Sequence, residues 1–265
     1  MSVDFAFLDS GTGGLPYMCY LNEKCPEASC IYVADAQNFP YGEKSSLEIS
    51  ECVINVCKKI IEKFNPKVIV LACNTMSVTA LSDVRQKFSV PFIGTVPAIK
   101  LAAKLSKNKR IGLLATQRSV SQDYTLQLIK DFASDCKVFS RGDGKLISFI
   151  EHNLTTAMES EKLIAVKPAV DYFKENDVDT IILGCTHFIH FAPEIQKVAG
   201  EKISVIDSRE GVVKQALKQL GHVDGSLPKE VKNKTFFITG TPKDSCDKDY
   251  QDIAKKFDIP WGGYI

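Results

Sequence analysis

The feature that most constrains this chain is a regular alternation of short apolar runs with longer amphipathic stretches. The runs VIVLA (68–72) and TIILG (180–184) carry almost no polar side chain, so both faces of such a strand must be covered. Strands are expected at 3–8, 29–33, 68–72, 92–94, 110–115, 136–139, 180–184, 204–206 and 234–239. Helices are expected between and after them, at 15–25, 46–64, 76–88, 98–107, 119–132, 144–154, 159–176, 191–198, 210–219 and 245–256. A strand–helix alternation of this kind folds as α/β with parallel sheets.

An internal echo divides the pattern. VIVLACNT (68–75) and TIILGCTH (180–187) each run from an apolar strand through a small residue and a Cys into hydrogen-bonding residues. More weakly, FLDSGTGG (7–14) echoes IGLLATQRSV (111–120), each a strand entering a small, polar turn. The reading is two similar α/β domains with mainly parallel sheets facing a central cleft. In open α/β sheets ligands bind beyond the carboxyl ends of the strands. Four such ends carry Asp9-Ser10, Cys73-Asn74-Thr75, Thr116 to Ser119, and Cys185-Thr186-His187.

Composition excludes several classes. The 265 residues are 45% hydrophobic and 25% charged, and 33 basic residues face 32 acidic ones. No basic surplus points to nucleic acid. No apolar run approaches the ~20 residues of a membrane helix. MSVDFAFLDSGTGG lacks a basic region followed by an apolar stretch, so no signal peptide is expected. Nine cysteines without a C-x-x-C argue against a disulfide framework, a zinc ribbon or a thioredoxin-type motif, and most should be small apolar core groups.

Two cysteines opposed across a cleft can do specific chemistry. One thiolate takes a proton from carbon while the other thiol returns one, and on opposite faces of a stereocentre this inverts configuration without a cofactor. A free thiol titrates near ~8.5, so each needs support. Asp9, after the first strand, is placed to reach Cys73, and His187 to assist Cys185. The Asn and Thr groups, with backbone N–H groups at helix starts, would hold a carboxylate. Cys185, His187 and His190 lack a persuasive fourth metal ligand. GTGG is not a dinucleotide fingerprint, because its third glycine position falls at Pro16. Gly144-Lys145 is not a phosphate-binding loop, since Phe139 stands at the first glycine position.

The motifs FLDSGTGGL (7–15), DAQNFPYG (35–42), ACNT (72–75), FIGTVPA (92–98), ATQRS (115–119), FIE (149–151), LGCTH (183–187) and VIDS (205–208) follow one another in order. With the closing FFITGTP (236–242), this set resembles the glutamate racemase family of the aspartate/glutamate racemase superfamily. The resemblance runs over nearly the whole chain. It implies a first domain of residues 1–97 plus 208–265 and a second of 98–207. It implies interconversion of L- and D-glutamate with no cofactor and no metal. Cys73 would act on D-glutamate with Asp9 in support, and Cys185 on L-glutamate with His187 and Glu151. Ser10, Tyr41, Gly42, Asn74, Thr75, Thr116, Ser119 and Thr186 would hold the amino acid. The resemblance further implies D-glutamate supply for peptidoglycan, a bacterial source, a cytoplasmic location and a homodimer, with no nucleic-acid or membrane partner. Eight residues precede Asp9, so no N-terminal extension for an activator is expected.

Three positions depart from the family pattern. Gly142-Asp143-Gly144-Lys145 stands where Ala-Cys-Pro-Leu is usual, Ala115 and Ser119 where Gly and Thr are usual, and Asn38 where an Arg precedes the Pro-Tyr-Gly turn. The first is expected to fold differently or to alter a dimer surface. Two other readings stay open. One is an aspartate or broad-specificity racemase, whose second motif usually carries Glu at the His187 position. The other is a non-catalytic amino-acid-binding protein of the same fold, against which the intact Cys73 and Cys185 argue.

Overall fold

The computed structural model describes residues 2–221, 234–240 and 247–265. The first stretch runs β1 (Phe5–Asp9), α1 (Leu15–Lys24), β2 (Cys30–Ala34), single turns at Ala36–Asn38 and Tyr41–Glu43, α2 (Ser46–Phe64), β3 (Val68–Leu71), α3 (Asn74–Lys87) and β4 (Phe92–Gly94). Next come α4 (Ile99–Leu105), β5 (Arg110–Ala115), α5 (Gln117–Ser121), α6 (Asp123–Phe132), β6 (Lys137–Gly142), α7 (Gly144–Asn153) and α8 (Glu159–Glu175). The stretch continues with β7 (Thr180–Leu183), a 3-10 segment at Thr186–Phe191, α9 (Ala192–Ala199) and β8 (Ser204–Ile206). The chain closes with α10 (Arg209–Gln219), β9 (Lys234–Ile238), α11 (Asp247–Lys256) and β10 (Trp261–Tyr264). Two compact units result, Met1–Thr95 with Arg209–Ile265, and Val96–Ser208.

The first unit is a parallel sheet in the order β10-β9-β2-β1-β3-β4. β1, β2 and β3 are buried at every position, as their apolar sequences require. α2 shows how a helix is laid on this sheet. Ser45 caps it by accepting from Glu48 N–H (3.3 Å), while the Glu48 carboxylate accepts from Ser45 N–H (2.8 Å). Its buried stripe of Ile49, Val53, Val56, Cys57, Ile60 and Phe64 follows the helical period, and Asn65 ends it in the left-handed region. That stripe packs with Ala6, Leu8, Ile31, Val33, Ile69 and Leu71 of the strands and with Met76, Ala80 and Val84 of α3.

Where the strands begin, Asp4 ties three of them together. Its carboxylate accepts from Ser29 N–H (2.9 Å), Ser29 O–H (2.7 Å) and Lys67 Nζ (2.8 Å). Burial works to raise the Asp4 pKa, but the Lys67 and Ser29 donors outweigh it and hold the group at about 2. Asp4→Asn is expected to lower stability by about 1–3 kcal/mol at neutral pH. Because the folded pKa is depressed, this contribution is present above the unfolded value of 3.8 and lost as pH falls toward about 2. Urea melts of both proteins at pH 7 and pH 2 check this, and a gap unchanged at pH 2 contradicts it.

The second unit is a parallel sheet in the order β6-β5-β7-β8. This repeats the β2-β1-β3-β4 order of the first unit, with β5 in the place of β1 and β7 in that of β3. The echo seen in the sequence is therefore an echo of topology. One hydrogen bond recurs at equal length: Ala72 N–H to Leu8 O and Gly184 N–H to Leu114 O, both 2.7 Å. In each unit the strand order reverses at the central pair, β1/β3 or β5/β7. Such a switch point leaves an open crevice at the carboxyl ends of the two strands.

The structure corrects several local expectations. The helix expected over 119–132 is two helices, because Gln122 is extended between α5 and α6. β6 continues to Gly142, beyond the expected end at 139, and Asp143 then caps α7 through Leu146 N–H (3.0 Å). A Cβ on Gly142 would lie 2.7 Å from Gln117 Cα, so glycine at this departure admits the start of α5. β10 was not expected, because Gly262 and Gly263 are poor strand formers. The expected start of the last helix at 245, Cys246, and the 241–242 end of the FFITGTP segment lie outside the described residues. Among the described residues no helix is long and apolar enough to cross a membrane.

Candidate active site

In the first unit the switch point brings the ends of β1 and β3 together. Cys73 sits immediately before α3 with extended backbone (φ −132°, ψ 122°), and Asn74 and Thr75 open the helix. Asp9, Ser10, Cys73, Asn74 and Thr75 are all buried. A relay of short steps links the carboxylate to the sulfur. Cys73 Sγ lies 3.8 Å from Ser10 Oγ, and Ser10 Oγ lies 3.2 Å from Asp9 Oδ1. Ser10 N–H also donates to Asp9 Oδ1 (2.6 Å). Ser10, which the family resemblance puts among the substrate contacts, also lies between Asp9 and Cys73.

Two features hold this turn. A Cβ on Gly14 would meet Ala72 Cβ at 2.7 Å and Ala72 O at 2.8 Å. The glycine lets the turn after β1 close against the strand that carries Cys73. The Tyr32 hydroxyl donates to Gly11 O (2.8 Å) and accepts from Gly14 N–H (3.0 Å), with Asp9 Oδ2 at 3.4 Å. Sequence reasoning missed Tyr32. Its signal was a polar tip in the otherwise apolar run CIYVA.

Tyr41 and Gly42 lie in the Tyr41–Glu43 turn, and Tyr41 is buried in the same apolar cluster as Cys73. The Tyr41 hydroxyl donates to the Asp35 carboxylate. Burial, with the charge and hydrogen bond of Asp35, pushes the phenol pKa well above its ordinary value, so Tyr41 stays a neutral donor. Asn74 Oδ1 is buried and, among the described residues, has no hydrogen-bond partner. An unmet buried acceptor costs about 1–3 kcal/mol, so a donor reaching this oxygen would be stabilising.

In the second unit the equivalent positions carry different chemistry. Cys185 precedes the 3-10 segment with backbone close to that of Cys73 (φ −128°, ψ 137°). His187 Nδ1 lies 3.8 Å from Cys185 Sγ, and His187 Nε2 lies 2.8 Å from Glu151 Oε2. His187 is 2% exposed and Glu151 5%, so α7 presents a carboxylate to a buried imidazole. Burial pulls the His187 pKa down. The hydrogen bonds to Cys185 and Glu151 and the charge of Glu151 outweigh it and raise the pKa well above 6.5. At the end of β5, the Thr116 hydroxyl accepts from Ser119 N–H (3.0 Å) and donates to Ser119 Oγ (2.8 Å). Ser119 and Thr186 are buried.

Each switch point therefore carries a thiol with its own support, a Ser10–Asp9 relay for Cys73 and a His187–Glu151 pair for Cys185. A thiol supported in this way can take a proton from carbon or return one. Among the described residues no group of three or more His, Cys, Asp or Glu could hold a metal ion.

The chain is similar to known proteins over its length. The family model described as Asp/Glu/Hydantoin racemase matches residues 20–216. A glutamate racemase of Treponema pallidum (strain Nichols) is 41% identical over 261 residues, 98% of this chain and 96% of the relative. One from Shewanella piezotolerans is 39% identical, covering 88% and 86%. The crystal structure of Escherichia coli glutamate racemase in complex with L-glutamate and the activator UDP-MurNAc-ala superposes with a TM-score of 0.87 at 28% identity. That match covers 99% of this chain and 98% of the other. A thiol at the switch point of each parallel sheet, on a fold and sequence shared end to end with these enzymes, places the chain in the Asp/Glu/Hydantoin racemase family.

Proposed function

We propose that the protein interconverts L- and D-glutamate without a cofactor, with Cys73 and Cys185 as its two acid–base groups. The observation that carries this reading is the pairing of matched backbone with unmatched support. Both thiols occupy the same place in the same topology, yet one has a carboxylate relay and the other an imidazole–carboxylate pair. An enzyme working on two mirror-image substrates needs one proton-transfer group per face of the α-carbon.

Cys73, with Ser10 and Asp9, takes the α-proton from D-glutamate. The electron pair left on Cα spreads into the substrate carboxylate, and the Cys185 thiol delivers a proton to the opposite face. From L-glutamate the direction is reversed, with His187 and Glu151 serving Cys185. Each turnover exchanges the protonation states of the two sulfurs, so the atoms balance with no other reactant. Asn74 accepts from the substrate ammonium, and Tyr41, Gly42, Thr75, Thr116, Ser119 and Thr186 complete the hold on the amino acid. His187 at the position that carries Glu in aspartate racemases favours glutamate over aspartate. The same reading makes the protein a cytoplasmic homodimer that supplies D-glutamate for peptidoglycan. The glutamate racemases to which the chain is similar support glutamate as the substrate.

Circular dichroism tests the reaction. The signal of pure L-glutamate and that of pure D-glutamate are expected to decay to zero, each with deuterium at Cα when the solvent is D₂O, and with no loss after EDTA dialysis. Aspartate is expected to react far more slowly. Glutamate left optically pure and unlabelled would make the protein a binding module.

A further inference from the structure

We propose that Asp35 is a positioning residue that fastens the turn carrying Tyr41 and Gly42 to Thr239, at the end of β9. This rests on the function proposed above and deepens it, because that turn is where the reading places part of the hold on glutamate.

Asp35 follows β2 at the carboxyl edge of the first sheet, and its N–H donates to Asp9 O (2.7 Å). It is fully buried. Each of its oxygens accepts two hydrogen bonds. Oδ1 accepts from Asn38 Nδ2 (3.1 Å) and the Thr239 hydroxyl (2.6 Å), and Oδ2 from Asn38 Nδ2 (3.0 Å) and the Tyr41 hydroxyl. A carboxylate offers about four acceptor sites, so all of them are used. Every donor is neutral.

Thr239 is a lock of the right kind. It lies in the stretch after β9, 204 positions from Asp35 in the chain. Its N–H donates to Ala34 O (3.1 Å), and its hydroxyl also accepts from Gln37 N–H (3.4 Å). One hydroxyl thus joins the C-terminal return of the chain to the loop that leads to Tyr41. Hydrogen bonds to both oxygens of one buried carboxylate fix the positions of the groups that donate them. Tyr41 is thereby held to one position within the buried cluster that also contains Cys73.

Steady-state kinetics with L- and D-glutamate test the clamp. Thr239→Val, nearly isosteric, is expected to raise KM for both enantiomers roughly 5- to 10-fold with kcat changed less than about 2-fold, the mark of lost uniform binding. Thr239→Ser keeps the hydroxyl and is expected to restore KM to within about 2-fold of wild type. In a Tyr41→Phe background, Thr239→Val should add little, because both act through Asp35. Asp35→Asn should raise KM further, and if it does not fold the Thr239 pair carries the test. A destabilised fold alone lowers the active fraction and leaves KM in place. Unchanged KM in Thr239→Val, or Thr239→Ser behaving like Thr239→Val, overturns the clamp. A wild-type protein inert toward glutamate overturns the functional reading instead.

Discussion

Cys73→Ala and Cys185→Ala are each expected to reduce glutamate racemisation by about 10³-fold or more, within the 10²–10⁴-fold range of a positioned acid–base group. Inversion needs proton removal on one face and delivery on the other, and neither variant has both. L- and D-glutamate have equal free energies, so kcat/KM must fall equally in the two directions. The variants differ in a half-reaction. Cys185→Ala retains Cys73 with its Ser10–Asp9 relay and should wash the α-proton of D-glutamate into D₂O without inversion. Cys73→Ala retains Cys185 with His187 and should do the same to L-glutamate. Loss of the α-proton NMR signal measures both. Either variant racemising near the wild-type rate would remove the two-thiol mechanism, and equal exchange of both enantiomers by one variant would remove the assignment of faces.

Glu151→Gln should produce the second large effect. Glu151 holds a proton on His187 against the pull of burial, through a hydrogen bond and a negative charge. Without that charge the buried imidazole becomes neutral at lower pH, and proton traffic through Cys185 is impaired. A fall in kcat of about 10²-fold is expected, with the primary deuterium isotope effect changing more from L-glutamate than from D-glutamate. The same substitution breaks a buried pair, so stability should fall by about 3 kcal/mol near pH 6. The His187 pKa is raised on folding, so the stabilisation it reports is fully present below the unfolded value near 6.5. It is lost as pH rises through the raised folded value. The gap between wild type and Glu151→Gln in urea melts should therefore be widest at pH 6 and narrow toward pH 9. A gap that widens with pH would mean that His187 is neutral in the folded protein.

What the sequence determined by itself is local. VIVLA and TIILG read as buried strands because every side chain in them must leave water, and both are fully buried. Cys73 and Cys185 were legible as strand-end residues because strand, turn and helix start follow within a few positions, a distance over which backbone preference and hydrophobic pattern decide structure. The proximity of His187 to Cys185 is of the same kind.

The partnerships with long chain separation needed the fold. Ser10 comes between Asp9 and Cys73 because β1 pairs with β3, and nothing in the order of residues announces that pairing. Glu151 reaches His187 because α7 packs on the segment that follows β7. Tyr32 holds the turn after β1 only because β2 lies beside β1. Asp35 meets Thr239 only because β9 adds to the outer edge of β2. β10 went unread for a related reason, since its two glycines have little strand preference and only pairing with β9 makes them a strand. Hydrophobic patterning specifies which face of an element is buried. Which other element covers that face, and so which polar group meets which, is decided by the sheet order that buries all of them at once.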